Sequence, residues 1–416
     1  MQRSKWLMLA TALALATPAL SQGLPHAQPQ AVGMSAERLA RIHPILQKEV
    51  DAQRMPGAVV MIARKGKLVY ADAVGFQDKA ANKPMTKDAI FEIFSMTKPL
   101  TSVGAMMLVE EGRIQLADPV SKFLPALGKM EVLVTDKDGK TAREPAKNQI
   151  TIQDLLRHTS GLTYGEFTSN PELKQAYTDN RLMTGVSRTL TPQEYTAAVA
   201  KVPLGREPGT AWEYSISVDI LGRVIEQVSG QRLSVFLNER LFQPLKMADT
   251  GFRVPEKDIG RLAAVLPGQP PLLDVSKDFP NDLGGAGGVS TAADYLRFCQ
   301  MMLNGGTLDG KRILSPATVR LMASDHVGAR PGSPGRGLMR VDGYTFGLGF
   351  AVRQGPGIAA ASGSEGEYSW AGYAGTFFWI DPKEQMAVVL MTLTAHPDRS
   401  YYRRMIKDFV AATLEK

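Results

Sequence analysis

Ser95-Met96-Thr97-Lys98 places a hydroxyl and an amine three residues apart. The run that follows carries Val103, Met106, Met107 and Val109 at helical spacing, so Ser95 falls where a helix begins and Lys98 lies one turn along on the same face. A serine hydroxyl is a weak nucleophile until a neighbour takes its proton, and a lysine can do so only as a free amine. Lysine normally titrates near about 10.4, so this chemistry at pH 7 asks for burial or nearby positive charge, at about 1.4 kcal/mol per pH unit. Alone the tetrapeptide is a weak signal, because a serine cap beside a surface lysine reads equally well.

Two further segments add to it. Pro208-Gly209 turns the chain toward Tyr214-Ser215-Ile216 ahead of a helix, and a phenol close to a lysine can take the serine proton and return it to a leaving group. Tyr368 to Thr376 reads as a strand interrupted by small residues, of the edge type that can aim a backbone N–H at a carbonyl oxygen. The competing readings are an aromatic packing residue for Tyr214 and a bulged core strand with Trp370 as filler. Gly288-Val289-Ser290 lacks the final glycine and the long preceding strand of a nucleophile elbow, and reads as a loop capped into a helix. His158 reads as satisfied packing rather than a triad member, and Cys299, among Phe298, Met301 and Met302, as inert core.

The elements that must position these groups belong to a chain of 416 residues, 44% hydrophobic and 21% charged, long enough for one large core or two moderate ones. The net charge of +7 is scattered, which gives no footprint for nucleic acid, and the five histidines have no zinc-type spacing. Arg3 and Lys5 ahead of an apolar stretch, then Ala19-Leu20-Ser21, form a secretory signal pattern over 1–21 with cleavage before Gln22. A secreted or periplasmic protein with no stable membrane span is expected, with a leader over 22–34.

Helical spacing over Met34–Val50 precedes two β-branched runs, Gly57–Ala63 and Leu68–Val74, joined at Gly66 as a hairpin. Helices are expected at Thr101–Glu111, Ile152–Arg157, Ser217–Ser229 and Ala292–Leu303. Strands return at Tyr344–Arg353, Ser369–Ile380 and Met386–Leu393, and a last helix, capped by Ser400, closes the chain. The fold class is therefore α/β (α+β), one unit built from both chain ends, about 35–100 and 340–412, around a mostly helical insertion at about 101–339. Arg330–Gly337 reads as a mobile loop.

Five segments in order sharpen this reading: Ser95 to Lys98, Leu155 to Gly161, Pro208-Gly209 to Tyr214-Ser215, Gly284 to Asp294, and Trp370-Ala371-Gly372. Together they resemble the serine β-lactamase-related superfamily over residues 35–412, nearest to the family VIII carboxylesterases, relatives of class C β-lactamases and penicillin-binding proteins. The resemblance implies a β-lactamase/transpeptidase-like antiparallel sheet flanked by helices. It also implies Ser95 as acylated nucleophile, Lys98 as its proton acceptor and Tyr214 as second general base and acid. The backbone N–H groups of Ser95 and Tyr373 would form the oxyanion hole, and Trp370, Ala371 and Gly372 would contact substrate.

Trp370 stands where penicillin-recognising relatives carry a lysine, and Ile216 where they carry an asparagine. Neither can make the replaced hydrogen bonds or charge contact, which favours an uncharged acyl ester. The expectation is a serine carboxylesterase acting on a small-molecule ester through an acyl-enzyme, with no cofactor and no metal. A class C-like β-lactamase or D-amino-acid-specific peptidase is the alternative among enzymes, and a noncatalytic binding or sensor protein the alternative of another class.

Overall fold

The computed structural model describes residues 23–330, 342–394 and 399–415. The signal segment 1–21 and all but the first residue of the Arg330–Gly337 loop lie outside the described residues.

Strand β1 (Gly57–Arg64) is buried along its whole length, and its side chains alternate between two cores. Val59, Met61 and Ala63 enter the larger one, Ala58, Val60 and Ile62 the smaller. A strand with both faces covered must lie in the middle of a layered structure, and it does. On one side it pairs with β2 (Lys67–Asp78) through a two-residue turn in which Lys65 and Gly66 both have positive φ, the backbone that matches the twist of a hairpin. Short β3 (Lys83–Pro84) follows on β2.

The other chain end supplies β4 (Tyr344–Phe346), β5 (Ala351–Arg353), β6 (Tyr368–Ala371), β7 (Phe377–Asp381) and β8 (Met386–Thr392). Strand β8 pairs with β1 from Ala58–Thr392 to Arg64–Met386, so the antiparallel sheet runs β4-β5-β6-β7-β8-β1-β2-β3 and joins the two ends of the chain.

Helices α1 (Ile42–Asp51) and α5 (Arg399–Ala411) cover the face with the smaller core. The other face carries α4 (Ala292–Leu303), packed on β8 and β1, and beyond it α2 (Thr97–Glu110) against α3 (Ser217–Ser229). The chain is an α/β (α+β) structure with an antiparallel sheet and flanking helices. Helices α3 and α4 end where their caps dictate: Gly230 takes the left-handed conformation after α3, and the Thr291 hydroxyl accepts from Asp294 N–H at the start of α4.

Several elements differ from the sequence reading. The helix expected over Met34–Val50 is broken at Ala40-Arg41 into Ala36–Leu39 and α1. Tyr344–Arg353 and Ser369–Ile380 are each two strands, since β6 stops at Ala371 and the chain turns back through 372–376. Ser400 lies inside α5 rather than capping it. Strand β6 is internal, not an edge, but β5 reaches only to Ser369, so Trp370 and Ala371 have a strand neighbour on one side alone. A hairpin, Glu131–Thr135 with Thr141–Pro145, sits within the stretch read as helical. Among the described residues no helix is long and apolar enough to cross a membrane.

Candidate active site

Ser95 stands in a single 3-10 turn, Phe94–Met96, that runs directly into α2. Phe94 has φ +43°, a conformation that side-chain-bearing residues rarely adopt, and the surroundings hold it there. Ile93 N–H donates to Gly288 O at 3.0 Å, Thr97 Oγ1 donates to Phe94 O at 2.6 Å, and Gly288 N–H donates to Thr97 Oγ1 at 2.9 Å. Tyr295 OH ties Met96 O at 2.8 Å. A Cβ on Gly288 would lie 2.6 Å from Thr97 Oγ1, so the glycine permits the close approach that fixes the serine turn.

Lys98 is fully buried. Its Nζ lies 2.8 Å from Gly285 O, 2.9 Å from Tyr164 OH and 3.3 Å from Ser95 Oγ. The glycine-rich segment thus brings a carbonyl to the amine. Gly285 N–H donates to Asp219 Oδ1 at 2.9 Å, and Thr101 Oγ1 donates to Gly284 O at 2.8 Å, binding the segment to α3 and α2. A Cβ on Gly285 would meet Asp219 Oδ2 at 2.5 Å. Burial pushes the Asp219 carboxyl up, opposed by the hydrogen bond from Gly285 N–H.

Tyr214 OH donates to Ser95 Oγ at 2.7 Å, and Lys98 Nζ lies 4.5 Å from the centre of the Tyr214 ring. The loop bearing Tyr214 is anchored by the Leu155–Gly161 segment. Gly209 N–H reaches Thr159 O and Glu213 N–H reaches His158 O. A buried polar chain runs from His158 Nδ1 to Ser215 Oγ at 3.2 Å, on to Ser217 Oγ at 2.6 Å and to Ser160 Oγ at 2.7 Å. His158 therefore spends its hydrogen bond on Ser215, with its ring 4.8 Å from that of Tyr214. Burial holds the imidazole well below its usual titration range, so it is neutral at pH 7.

Trp370 is buried, 5.4 Å from Tyr214 and 5.1 Å from Phe346 between ring centres. It walls the phenol, and its Nε1 has no hydrogen-bond partner among the described residues. Gly372 follows in the turn after β6, where a Cβ would meet Ile93 O at 2.5 Å and Thr376 Oγ1 at 2.1 Å. This contact brings Tyr373 beside the serine turn, its ring 5.7 Å from Phe94 and stacked near Phe167 at 6.5 Å. Tyr373 is 43% exposed, and among the described residues no acceptor takes its backbone N–H.

Lys98 and Tyr214, from distant segments, thus converge on Ser95 Oγ, with Trp370 against the Tyr214 ring and Gly372 and Tyr373 beside the serine turn. Two groups on Lys98 were not singled out from the sequence, the Tyr164 hydroxyl and the Gly285 carbonyl. Burial keeps the Tyr164 phenol far above its usual titration range, so it stays protonated. Tyr164 lies three residues past Gly161 and Gly285 within the glycine run, so their segments were conspicuous while the contacts were not. Among the described residues no group of three or more His, Cys, Asp or Glu gathers in a way that could hold a metal ion.

The chain is similar to known proteins over most of its length. The chain is 37% identical over 382 residues to protein Rv1367c of Mycobacterium tuberculosis, covering 85% of this chain and 90% of that protein. It is 30% identical over 399 residues to esterase EstB of Burkholderia gladioli, covering 89% and 95% respectively. Among solved structures, EstCE1, described as a hydrolase with promiscuous acyltransferase activity, superposes with a TM-score of 0.74 at 29% identity, covering 92% of this chain and 99% of that one. The Beta-lactamase family model matches residues 42–412, and the chain belongs to that family of serine β-lactamase and penicillin-binding-protein-like proteins.

Proposed function

We propose that this protein is a serine esterase that cleaves small carboxylic esters through an acyl-enzyme on Ser95. The observation that carries the reading is the double contact on Ser95 Oγ, from Lys98 Nζ at 3.3 Å and Tyr214 OH at 2.7 Å. With Lys98 as a free amine, its two N–H bonds serve Gly285 O and Tyr164 OH, and its lone pair accepts the Ser95 proton. Ser95 then accepts from Tyr214 and donates to Lys98.

In acylation, Ser95 Oγ bonds to the ester carbonyl carbon while its proton passes to Lys98. The carbonyl electron pair moves onto oxygen, where the N–H groups of Ser95 and Tyr373 receive it. Collapse breaks the bond to the alkoxide, which takes the Tyr214 proton. The resulting phenolate lies over the Lys98 ammonium, a pairing favoured by the 4.5 Å separation. In deacylation the phenolate takes a proton from water, whose oxygen attacks the acyl carbon, and Ser95 departs with the proton held on Lys98. The sum is ester plus water to acid plus alcohol. An alcohol in place of water gives acyl transfer by the same steps.

Trp370 and Ile216, both buried and neither offering a charge, support uncharged esters over β-lactams or D-amino-acid peptides. The rings of Phe94, Phe167 and Tyr373 beside the serine support short acyl chains. The esterase name of the Burkholderia relative supports the same class. The N-terminal pattern over 1–21 supports export to the periplasm or beyond.

Hydrolysis of p-nitrophenyl acetate set against that of a chromogenic cephalosporin tests the reading. The ester is expected to turn over at least 100-fold faster in kcat/KM and Ser95→Ala to be inactive toward it. Preference for the cephalosporin, or ester turnover retained by Ser95→Ala, overturns it.

A further inference from the structure

Helix α5 begins with two arginines that reach back to the turn after β6. The Arg399 guanidinium lies over the Tyr373 ring, 4.9 Å from its centre. One turn further, Arg403 donates through one nitrogen to Gly372 O and, at 3.4 Å, to Thr376 O, while its Nε is buried without a hydrogen-bond partner. Both arginines are half-buried, and a guanidinium with part of its surface out of water costs free energy unless its charge and N–H groups are used.

The target of Arg403 is specific. Gly372 C=O and Tyr373 N–H are the two ends of one trans peptide group and point in opposite directions. The carbonyl end faces the arginine, which leaves the N–H directed away from α5. Gly375 N–H also donates to Gly372 O at 3.2 Å, so the peptide cannot rotate without losing this bond and the one from Arg403, while the preceding peptide is held by Gly372 N–H donating to Thr376 O at 2.8 Å. A cation on the carbonyl draws electron density toward oxygen and makes the N–H a stronger donor, by the mutual polarisation that strengthens linked hydrogen bonds.

We propose that Arg403 is a positioning residue for ester cleavage, fixing and polarising the Gly372–Tyr373 peptide so that its N–H stabilises the oxyanion. The proposal rests on the oxyanion role given to Tyr373 above. Burial and the neighbouring Arg399 push the Arg403 guanidinium down to about 9, which leaves it cationic at pH 7.

The test combines side-chain and backbone changes in the full chain, with p-nitrophenyl acetate as substrate. Arg403→Met removes donor and charge, Arg403→Lys keeps both in smaller form, and Tyr373 replaced by its α-hydroxy acid removes the N–H and leaves the Gly372 carbonyl as a weaker, ester acceptor. Removing one oxyanion donor costs about 10²–10³-fold in kcat, so weakening it is expected to cost about 10-fold. The expected result is a loss of about 100-fold for the backbone change and about 10-fold in kcat for Arg403→Met, with KM within twofold. Phosphonylation of Ser95, which also builds charge on that oxygen, should slow by the same factor. Arg403→Lys should recover most of the loss, and Arg403→Met should cost little more in the α-hydroxy-acid background.

If the backbone change is costly but Arg403→Met and Arg403→Lys both leave kcat unchanged, the arginine proposal is overturned and the oxyanion reading stands. If the backbone change leaves kcat unchanged, both fall. Should Arg403→Met not fold, Arg403→Lys and Arg403→Gln decide: equal losses in both, whatever the charge, contradict the polarising role.

Discussion

Gly372→Ala adds one methyl group at the point where the turn after β6 meets the Ser95 turn. The new Cβ would lie 2.1 Å from Thr376 Oγ1 and 2.5 Å from Ile93 O. The hydroxyl can rotate away, at the cost of its long hydrogen bond to Ile93 O. Ile93 O cannot move freely, because Ile93 N–H is held by Gly288 O and the next residue already has positive φ. Real Cβ contacts begin near 3.0 Å and are ordinary at 3.4 Å, so the 372–373 peptide must retreat by 0.5 to 0.9 Å. A misplacement of about 1 Å in a catalytic group costs up to about 100-fold in rate, which equals about 2.7 kcal/mol of transition-state stabilisation. Overpacking should add about 1–3 kcal/mol of lost stability. The assay is kcat/KM for p-nitrophenyl acetate together with urea denaturation. Gly185→Ala serves as control, since a Cβ there meets nothing within 4 Å. A folded Gly372→Ala protein with kcat/KM within threefold of the parent would refute the reasoning that the 372–373 peptide serves the reacting oxygen.

Other consequences follow from buried groups. Tyr164→Phe deprives the buried Lys98 amine of one of its acceptors, and should cost about 1–3 kcal/mol in denaturant stability while lowering kcat; an unchanged midpoint and rate would show the hydroxyl to be idle. Burial raises the Glu92 carboxyl to about 8, so between the unfolded value near 4.5 and 8 the folded chain keeps a proton that the unfolded chain releases, and stability drains away as pH rises. Glu92→Gln can still accept from Leu273 N–H, and should gain on the parent by up to about 1.4 kcal/mol per pH unit from pH 5 to 8; parallel stability profiles would contradict this. His158 acts in the opposite sense, neutral when folded and protonated when unfolded, so its contribution is lost as pH falls below about 6.5 and acid melting of His158→Gln should be less steep. Cys299 is buried with its thiol pushed well up, so it should react with Ellman's reagent only on unfolding.

The legible parts of the chain were those whose causes are local. Helices α3 and α4 could be read to the residue because their apolar periodicity ends at Gly230 and begins at Thr291. The β1–β2 hairpin declared itself through Gly66. Where small residues blurred the pattern, the reading ran two strands together: Ala371 to Gly375 looks continuous with β6 and β7, yet Gly375 at φ +114° turns the chain. The pairing of β1 with β8 joins residues more than 300 apart in the chain, and no local pattern carries it; strands at both chain ends pointed only to a single unit built from them.

The site divides in the same way. Ser95 and Lys98 share one helix turn and were visible as a pair, whereas the Tyr164 and Gly285 contacts to Lys98 span 66 and 187 residues. The positive φ of Phe94 is likewise set by what packs around it, through Gly288, and nothing in the residue type announces it.

The most direct measurement of the central claim is the mass of the intact protein, with peptide mapping, after brief exposure to a p-nitrophenyl alkylphosphonate. The account predicts one adduct per chain, carried on the peptide containing Ser95, loss of esterase activity in proportion to labelling, and no adduct in Ser95→Ala. An adduct on another residue that accounts for the activity, or full activity in a stoichiometrically labelled protein, would contradict it.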